Sequence, residues 1–202
     1  MTPAMKASAD LKLAGLCIAG DRRAQRELFQ REKRRVHATL YRILGNNREM
    51  EDLVQESFLE VFRSLRHFRG EAQLSTWIDR IAARVAYAFL TRSRSSATLL
   101  EVVPDIAGDD PSAEERALAR EAARHLYTAL DRIEAKQRIA FTLHVIDGRP
   151  LREVAEVMES SLVATKTRVW RARRELEKRA RKDSVLGSFL TDEAADNDGG
   201  SR

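Results

Sequence analysis

The chain has 202 residues, with 36 Lys and Arg against 31 Asp and Glu, a net charge of +5 and a pI near 9.6. That length allows one or two small domains, and the mild basic excess is compatible with nucleic acid without requiring it. A single cysteine, Cys17, excludes an internal disulfide and fits a reducing compartment. No apolar run reaches the roughly 18 residues of a membrane span. The N-terminus lacks the apolar run and cleavage site of a secretory signal, so no membrane insertion and a cytoplasmic location are predicted.

In chain order, residues 1–9 are predicted to be disordered. Asp10 is placed to cap a short helix carrying Leu11, Leu13, Leu16, Cys17 and Ile18, with Cys17 as a small core residue. Gly20-Asp21 breaks that helix, and Asp21 can cap a second one, which runs to about Leu44 and stops at Gly45-Asn46. Its apolar stripe is Leu28, Val36, Leu40, Ile43 and Leu44. Arg22, Arg23, Arg26, Arg31, Lys33, Arg34 and Arg35 make the rest basic, which reads as a mostly solvated face, the alternative being contact with a nucleic-acid backbone.

A third helix is predicted over Glu49 to Leu65. At about 100° per residue, Val54, Phe58, Val61, Phe62 and Leu65 share one face. Glu49, Asp52, Glu56 and Glu60 lie opposite, with Leu53 and Leu59 on the borders. Such an outer face repels phosphate and suits a basic protein surface, or it is simply solvated. After a Phe-Arg-Gly loop, a fourth helix begins at Ser75, the expected N-cap. Ile78, Ile81, Ala82, Val85 and Phe89 face the core; Trp77, Arg80, Arg84, Tyr87, Thr91 and Arg94 lie on the other side. Cations interleaved with aromatic rings suit single-stranded nucleic acid, because cations hold phosphates and rings stack bases. The alternative is that Trp77 and Tyr87 are packed and the arginines keep the surface soluble.

The stretch from Ala97 to Glu115 has six acidic residues, no Lys or Arg, and Pro104, Gly108 and Pro111; it reads as a linker. A helix to about Leu130 follows, with Leu118, Ala122, Leu126 and Leu130 at four-residue spacing. Another, from Ala135 to Ile146, carries Ile139, Ala140, Leu143, Val145 and Ile146. Gly148-Arg149-Pro150 forms a turn. Leu151, Val154, Ala155 and Met158 then line a short helix, Glu159-Ser160 turns, and Ser161 caps a long helix to about Lys182. Leu162, Thr165, Val169, Ala172 and Leu176 face inward there; Val163, Lys166, Thr167, Trp170, Arg171 and Arg174 face outward. From Ser161 to Lys182 there are nine Lys or Arg and two Glu. A short helix, a tight turn and a longer basic helix match a helix-turn-helix, whose second helix enters the major groove; the alternative is a solvated basic helix on which Trp170 packs.

The fold class is therefore all-α: two small helical domains joined by an acidic flexible linker, the second a helix-turn-helix. The expected boundaries are 10–95, 96–112 for the linker, 113–182, and 183–202 for an acidic, disordered tail. The four His are scattered without metal-ligand spacing, and the nine Gly form no phosphate-cradling loop. No enzyme activity, metal or cofactor is predicted.

Two blocks carry a family resemblance. EDLVQESFLEVFRSL with FRGEAQLSTWIDRIA resembles domain two of a bacterial sigma factor of the extracytoplasmic-function (ECF) group. AFTLHVIDGRPLREVAEVMESSLVATKTRVWRARREL resembles domain four of the same group. The resemblance spans about residues 10 to 180 and implies a transcription initiation subunit. Its partners would be core RNA polymerase, promoter DNA and an anti-sigma factor. It implies that Asp52, Leu53, Gln55, Glu56, Leu59 and Phe62 meet polymerase. Phe68, Arg69, Trp77, Arg80, Arg84 and Tyr87 would take the minus-ten element. Ser161, Lys166, Thr167, Arg168, Trp170, Arg171 and Arg174 would take the minus-thirty-five element. The linker would thread polymerase channels that otherwise hold nucleic acid. Arg84 stands where the family usually has Asn, Glu159 where it has Gly, and Val163-Ala164 where it has Gly-Thr, so the DNA sequence preference does not transfer. The rival is a stand-alone helix-turn-helix regulator, which leaves the acidic face of Asp52, Glu56 and Glu60 without a role.

Overall fold

The computed structural model describes residues 3–92, 112–183 and 185. The expected linker over 96–112 lies outside them except for Ser112, and the expected tail except for Asp183 and Val185. Among the described residues the chain is all helix, as the periodicity predicts.

Helix α1 spans Pro3–Ile18, so it begins well before Asp10 and the disorder expected over 1–9 is corrected from residue 3 onward. Asp10 is no cap of α1. It sits mid-helix, 2% exposed, and its carboxylate accepts from the Leu74 N–H at 3.1 Å and from Arg31 at 3.0 Å. It thereby caps α4, Leu74–Arg92, in the place expected of Ser75. A carboxylate from another helix does the work because it satisfies a free N-terminal N–H and favours the positive helix end at once. Cys17 is buried, and burial pushes its thiol pKa up.

Helix α2, Arg22–Leu44, starts as predicted: the Asp21 carboxylate accepts from the N–H groups of Arg23 (2.8 Å) and Ala24 (3.1 Å). It ends at Gly45, whose φ of 74° favours glycine. Its basic face is only partly solvated, because Arg31 binds Asp10 and Glu32, and Arg35 binds Asp79. Helix α3, Met50–Ser64, and a 3-10 turn, Leu65–His67, lead back to α4. Leu28, Leu40, Val54, Phe58, Val61, Ile78 and Ile81 close one core between α2, α3 and α4.

The second half contains α5, Ala113–Leu130, α6, Ala135–Phe141, and a wider π-helical turn over Thr142–Ile146. Helices α7, Leu151–Val157, and α8, Leu162–Ala180, complete it. Of the row expected on α5, Leu126 and Leu130 face inward, with Tyr127 beside them, whereas Leu118 is 61% exposed and is corrected to the surface. The inward residues pack with Phe141, Ala172 and Leu176.

The two halves do not keep separate cores. Ile139, Leu143, Val154 and Val157 join the core of the first half. Helix α7 lies on α4, and α6 reaches both α2 and α4. The main-chain carbonyls at the end of α2 are capped from the other half. Tyr127 donates its hydroxyl to the Arg42 oxygen at 2.8 Å, and Arg138 donates to the oxygens of Ile43 (2.8 Å) and Leu44 (3.1 Å). A Cβ at Gly45 would come within 2.9 Å of the Tyr127 ring, so glycine is required there for approach as well as for φ.

Candidate functional site

Three surfaces carry the residues singled out from the sequence. The first is the outer side of α3. Asp52, Gln55, Glu56 and Leu59 are exposed, Leu59 by 56%. Among the described residues, no ion pair engages Asp52, Glu56 or Glu60. Leu53 is 2% exposed and Phe62 half-buried, so of the six residues expected to meet polymerase these two mainly build the core. The helical period explains it for Leu53, which stands four and eight residues before the buried Ser57 and Val61. Acidic Glu51 and Asp52 also favour the N-terminal end of α3.

The second surface is the loop before α4 and its outer side. Phe68 is 9% exposed, and its ring lies 5.7 Å from that of half-buried Trp77 at 59°. Phe68 thus backs Trp77 from the core side rather than offering a free stacking face. Arg69 is exposed. Arg80 is half-buried, and its Nε has no hydrogen-bond partner among the described residues. Arg84 and Tyr87 are exposed to solvent on one side and met by the second half on the other. The Arg84 Nε is 3.8 Å from the Glu159 carboxylate, and the Lys136 ammonium lies 5.6 Å from the Tyr87 ring centre.

The third surface is α8. Ser161 is its N-cap as predicted, accepting from the Ala164 N–H at 3.2 Å. Glu159 in the preceding turn has φ of 48°, the one non-glycine residue with positive φ among those described. Val163, Lys166, Trp170, Arg171 and Arg174 are exposed, while Thr167 and Arg168 are half-buried. The Thr167 hydroxyl donates to the Val163 oxygen at 2.9 Å, which leaves its lone pairs for an outside donor. The Arg174 guanidinium stacks over the Trp170 indole at 5.1 Å. This makes one exposed apolar and cationic ledge, a shape suited to a sugar-phosphate edge.

Reading the sequence alone missed the ion cluster between the halves. Asp79 is fully buried. Its carboxylate takes Arg35 at 2.7 Å and Arg149 at 2.7 Å, and the Thr39 hydroxyl donates to it at 3.1 Å. Arg149 also donates to Thr39 at 2.8 Å and pairs with Asp147. Burial works against the charge on Arg149, but Asp79 and Asp147 outweigh it and hold the guanidinium protonated, its pKa raised. The available signal was an acid on the inner side of one amphipathic helix and an arginine in a turn far away in sequence; neither names its partner. Among the described residues no group of His, Cys, Asp and Glu is arranged to hold a metal, and no helix is long and apolar enough to cross a membrane.

Comparison with known proteins places both halves of the chain in one family. Residues 28–96 match the family model for sigma-70 region 2, and residues 123–176 that for sigma-70 region 4. The chain is 28% identical over 167 residues to the ECF RNA polymerase sigma-E factor of Haemophilus influenzae, covering 78% of this chain and 88% of that protein. Two solved structures share the fold. CnrH, solved with the cytosolic domain of CnrY, superposes with a TM-score of 0.59 at 21% identity, covering 87% of this chain and 99% of that one. The sigma factor RpoE of Bartonella quintana, solved with the anti-sigma factor NepR, gives 0.53 at 21% identity, covering 78% and 97%. The chain belongs to the sigma-70 family, in its ECF group.

Proposed function

We propose that the chain is an alternative sigma factor that binds core RNA polymerase and directs promoter recognition, promoter melting and transcription initiation, without catalytic chemistry of its own. One observation carries this reading: region 2 and region 4 occur in one chain in family order, and each presents a surface of the chemistry its task needs. Residues 10–95 and 113–182 are the two working domains, joined by residues 96–112. The exposed acids and Leu59 of α3 would dock on polymerase. Trp77, Arg80, Arg84 and Tyr87, with Arg69 beside them, would hold the separated minus-ten strand; Phe68 would position Trp77. The face of α8 with Lys166, Thr167, Arg171 and Arg174 would read the minus-thirty-five element, with Ser161, Arg168 and Trp170 at its margins. The work would take place in the cytoplasm, and an anti-sigma factor is a further expected partner.

A stand-alone helix-turn-helix regulator would need only the second half, and the match of residues 28–96 to sigma-70 region 2 supports the sigma-factor reading over it. The test is reconstitution: purified chain plus core polymerase should start transcription at promoters that core polymerase alone ignores. Specific duplex binding by the chain alone, with no effect on core polymerase, would favour the regulator instead.

A further inference from the structure

We propose that Val163 reads a base: its isopropyl group packs on the C5-methyl group of a thymine in the upstream promoter element. The inference rests on the reading of α8 as the helix that enters the major groove. It adds a contact that the cations and hydroxyls of that face cannot make. Three observations converge on it.

The position is right for a base edge. Val163 is the second residue of α8, Leu162–Ala180, just behind the Ser161 cap. Residues at the N-terminal end of a recognition helix are the ones that reach base edges. Val163 shares its face with Lys166, Thr167, Trp170 and Arg174, which follow at helical spacing. Lys166 and Arg174 are exposed. The first turn of α8 has no acidic residue, so the turn that carries Val163 does not repel a phosphate backbone.

Folding makes no use of this side chain. Val163 is 74% exposed and belongs to neither core. Valine is also a weaker helix former than alanine, so propensity does not account for it. What the β-branch supplies is a fixed shape, because one χ1 rotamer dominates for valine in a helix. Its two methyl groups are already ordered, and little freedom is lost when they meet a base.

Thr167 extends the apolar step by one turn. Its hydroxyl donates to the Val163 carbonyl oxygen at 2.9 Å. That bond ties the polar end of the side chain to the main chain and leaves the γ-methyl as its apolar part. The apolar group that a base pair presents in the major groove is the thymine methyl. Cytosine presents an amino donor instead, which an aliphatic side chain leaves without a partner. Val163 thus favours thymine over cytosine. A glycine, the residue usual in the family at this place, has no side chain with which to do so.

The experiment uses holoenzyme reconstituted from the full chain and core polymerase. A promoter library randomised over the upstream element supplies the preferred sequence. Each thymine of that element, on either strand, is then replaced singly by uracil, which removes the methyl and keeps every hydrogen-bonding group. Duplex affinity is measured for wild type and Val163→Ala at several salt concentrations. At one thymine, wild type should lose about fourfold on the change to uracil, the worth of about one buried methyl-sized group. Val163→Ala should bind the thymine duplex about fourfold more weakly and show no response to uracil there. Both factors should hold steady as salt varies, unlike the loss of a phosphate contact. Helix content should match wild type, since the substitution is on the surface. A preferred element without thymine, or equal uracil responses in the two proteins at every position, overturns the contact. Failure to start transcription with core polymerase overturns the sigma-factor reading instead. The same selection then runs with the full chain alone, where a uracil loss that vanishes in Val163→Ala establishes the contact and its absence overturns it.

Discussion

The Arg138 guanidinium lies 3.1 Å from the carbonyl oxygen of Leu44, a residue 94 positions earlier in the chain. It also takes the Ile43 oxygen and pairs with Asp131, while only 2% exposed. A charge from the second half thus completes the C-terminal end of a first-half helix, where cations are favoured. Arg138→Met keeps volume but leaves two carbonyls without that donor. It should weaken the docking of the halves by about 3 kcal/mol. Wild type should unfold in one urea transition and the variant in two; a single unshifted transition would show that the halves do not stabilise each other.

The α3 face gives a prediction about binding rather than folding. Asp52 and Glu56 are exposed, and surface substitutions away from packed sites usually change stability by under about 0.5 kcal/mol. Asp52→Lys with Glu56→Lys should therefore leave helix content and melting temperature near wild type while weakening the complex with core polymerase. Equal recovery of core polymerase with both proteins would remove α3 as the docking surface.

On α8, Arg171 is exposed within the row of Lys166, Thr167 and Arg174. Arg171→Ala should cost about 1–3 kcal/mol at the preferred upstream sequence if it reads a base. A phosphate contact would instead weaken binding to all sequences alike and flatten the salt dependence. Footprints of the holoenzyme at several salt concentrations separate the two, and footprints untouched by both Lys166→Ala and Arg171→Ala would show that another surface reads the element.

Phe68 and Trp77 should part company when each is truncated. Phe68 is buried behind Trp77, so Phe68→Ala should cost about 3 kcal/mol of stability and disturb melting through the lost support. Trp77 is half-buried; Trp77→Ala should cost less in stability, slow the opening of duplex promoters, and be partly rescued on a promoter with a pre-melted bubble. Permanganate reactivity of unpaired thymines reports the opening. Normal reactivity with Trp77→Ala would make that ring a packing residue only.

Alkaline pH should loosen the docking of the halves through Tyr127. Burial pushes its phenol pKa up in the fold, above the ordinary value of about 10. A group raised in this way contributes fully below about pH 10, and its contribution is lost as pH rises further, because the separated, solvated phenol ionises first. The urea midpoint should fall more steeply above pH 10 in wild type than in Tyr127→Phe. Parallel curves would show that Tyr127 is not linked to stability.

The apolar stripes, the Asp21 and Ser161 caps, the Gly45 stop and the helix-turn-helix were legible in the sequence because each depends on residues within a turn or two of helix. The acidic side of α3 and the outward side of α8 were legible for the same reason: a period of 3.6 fixes which side chains share a face. Tertiary structure alone decided that Asp10 caps α4, that Phe68 supports Trp77 from inside, and that Asp79 finds Arg149. Those pairs are 64, 9 and 70 residues apart, and helical periodicity says nothing about which helix lies against which. The same limit hid the shared core, since an apolar stripe records that a face must be buried but leaves the partner open until the packing of the helices selects it.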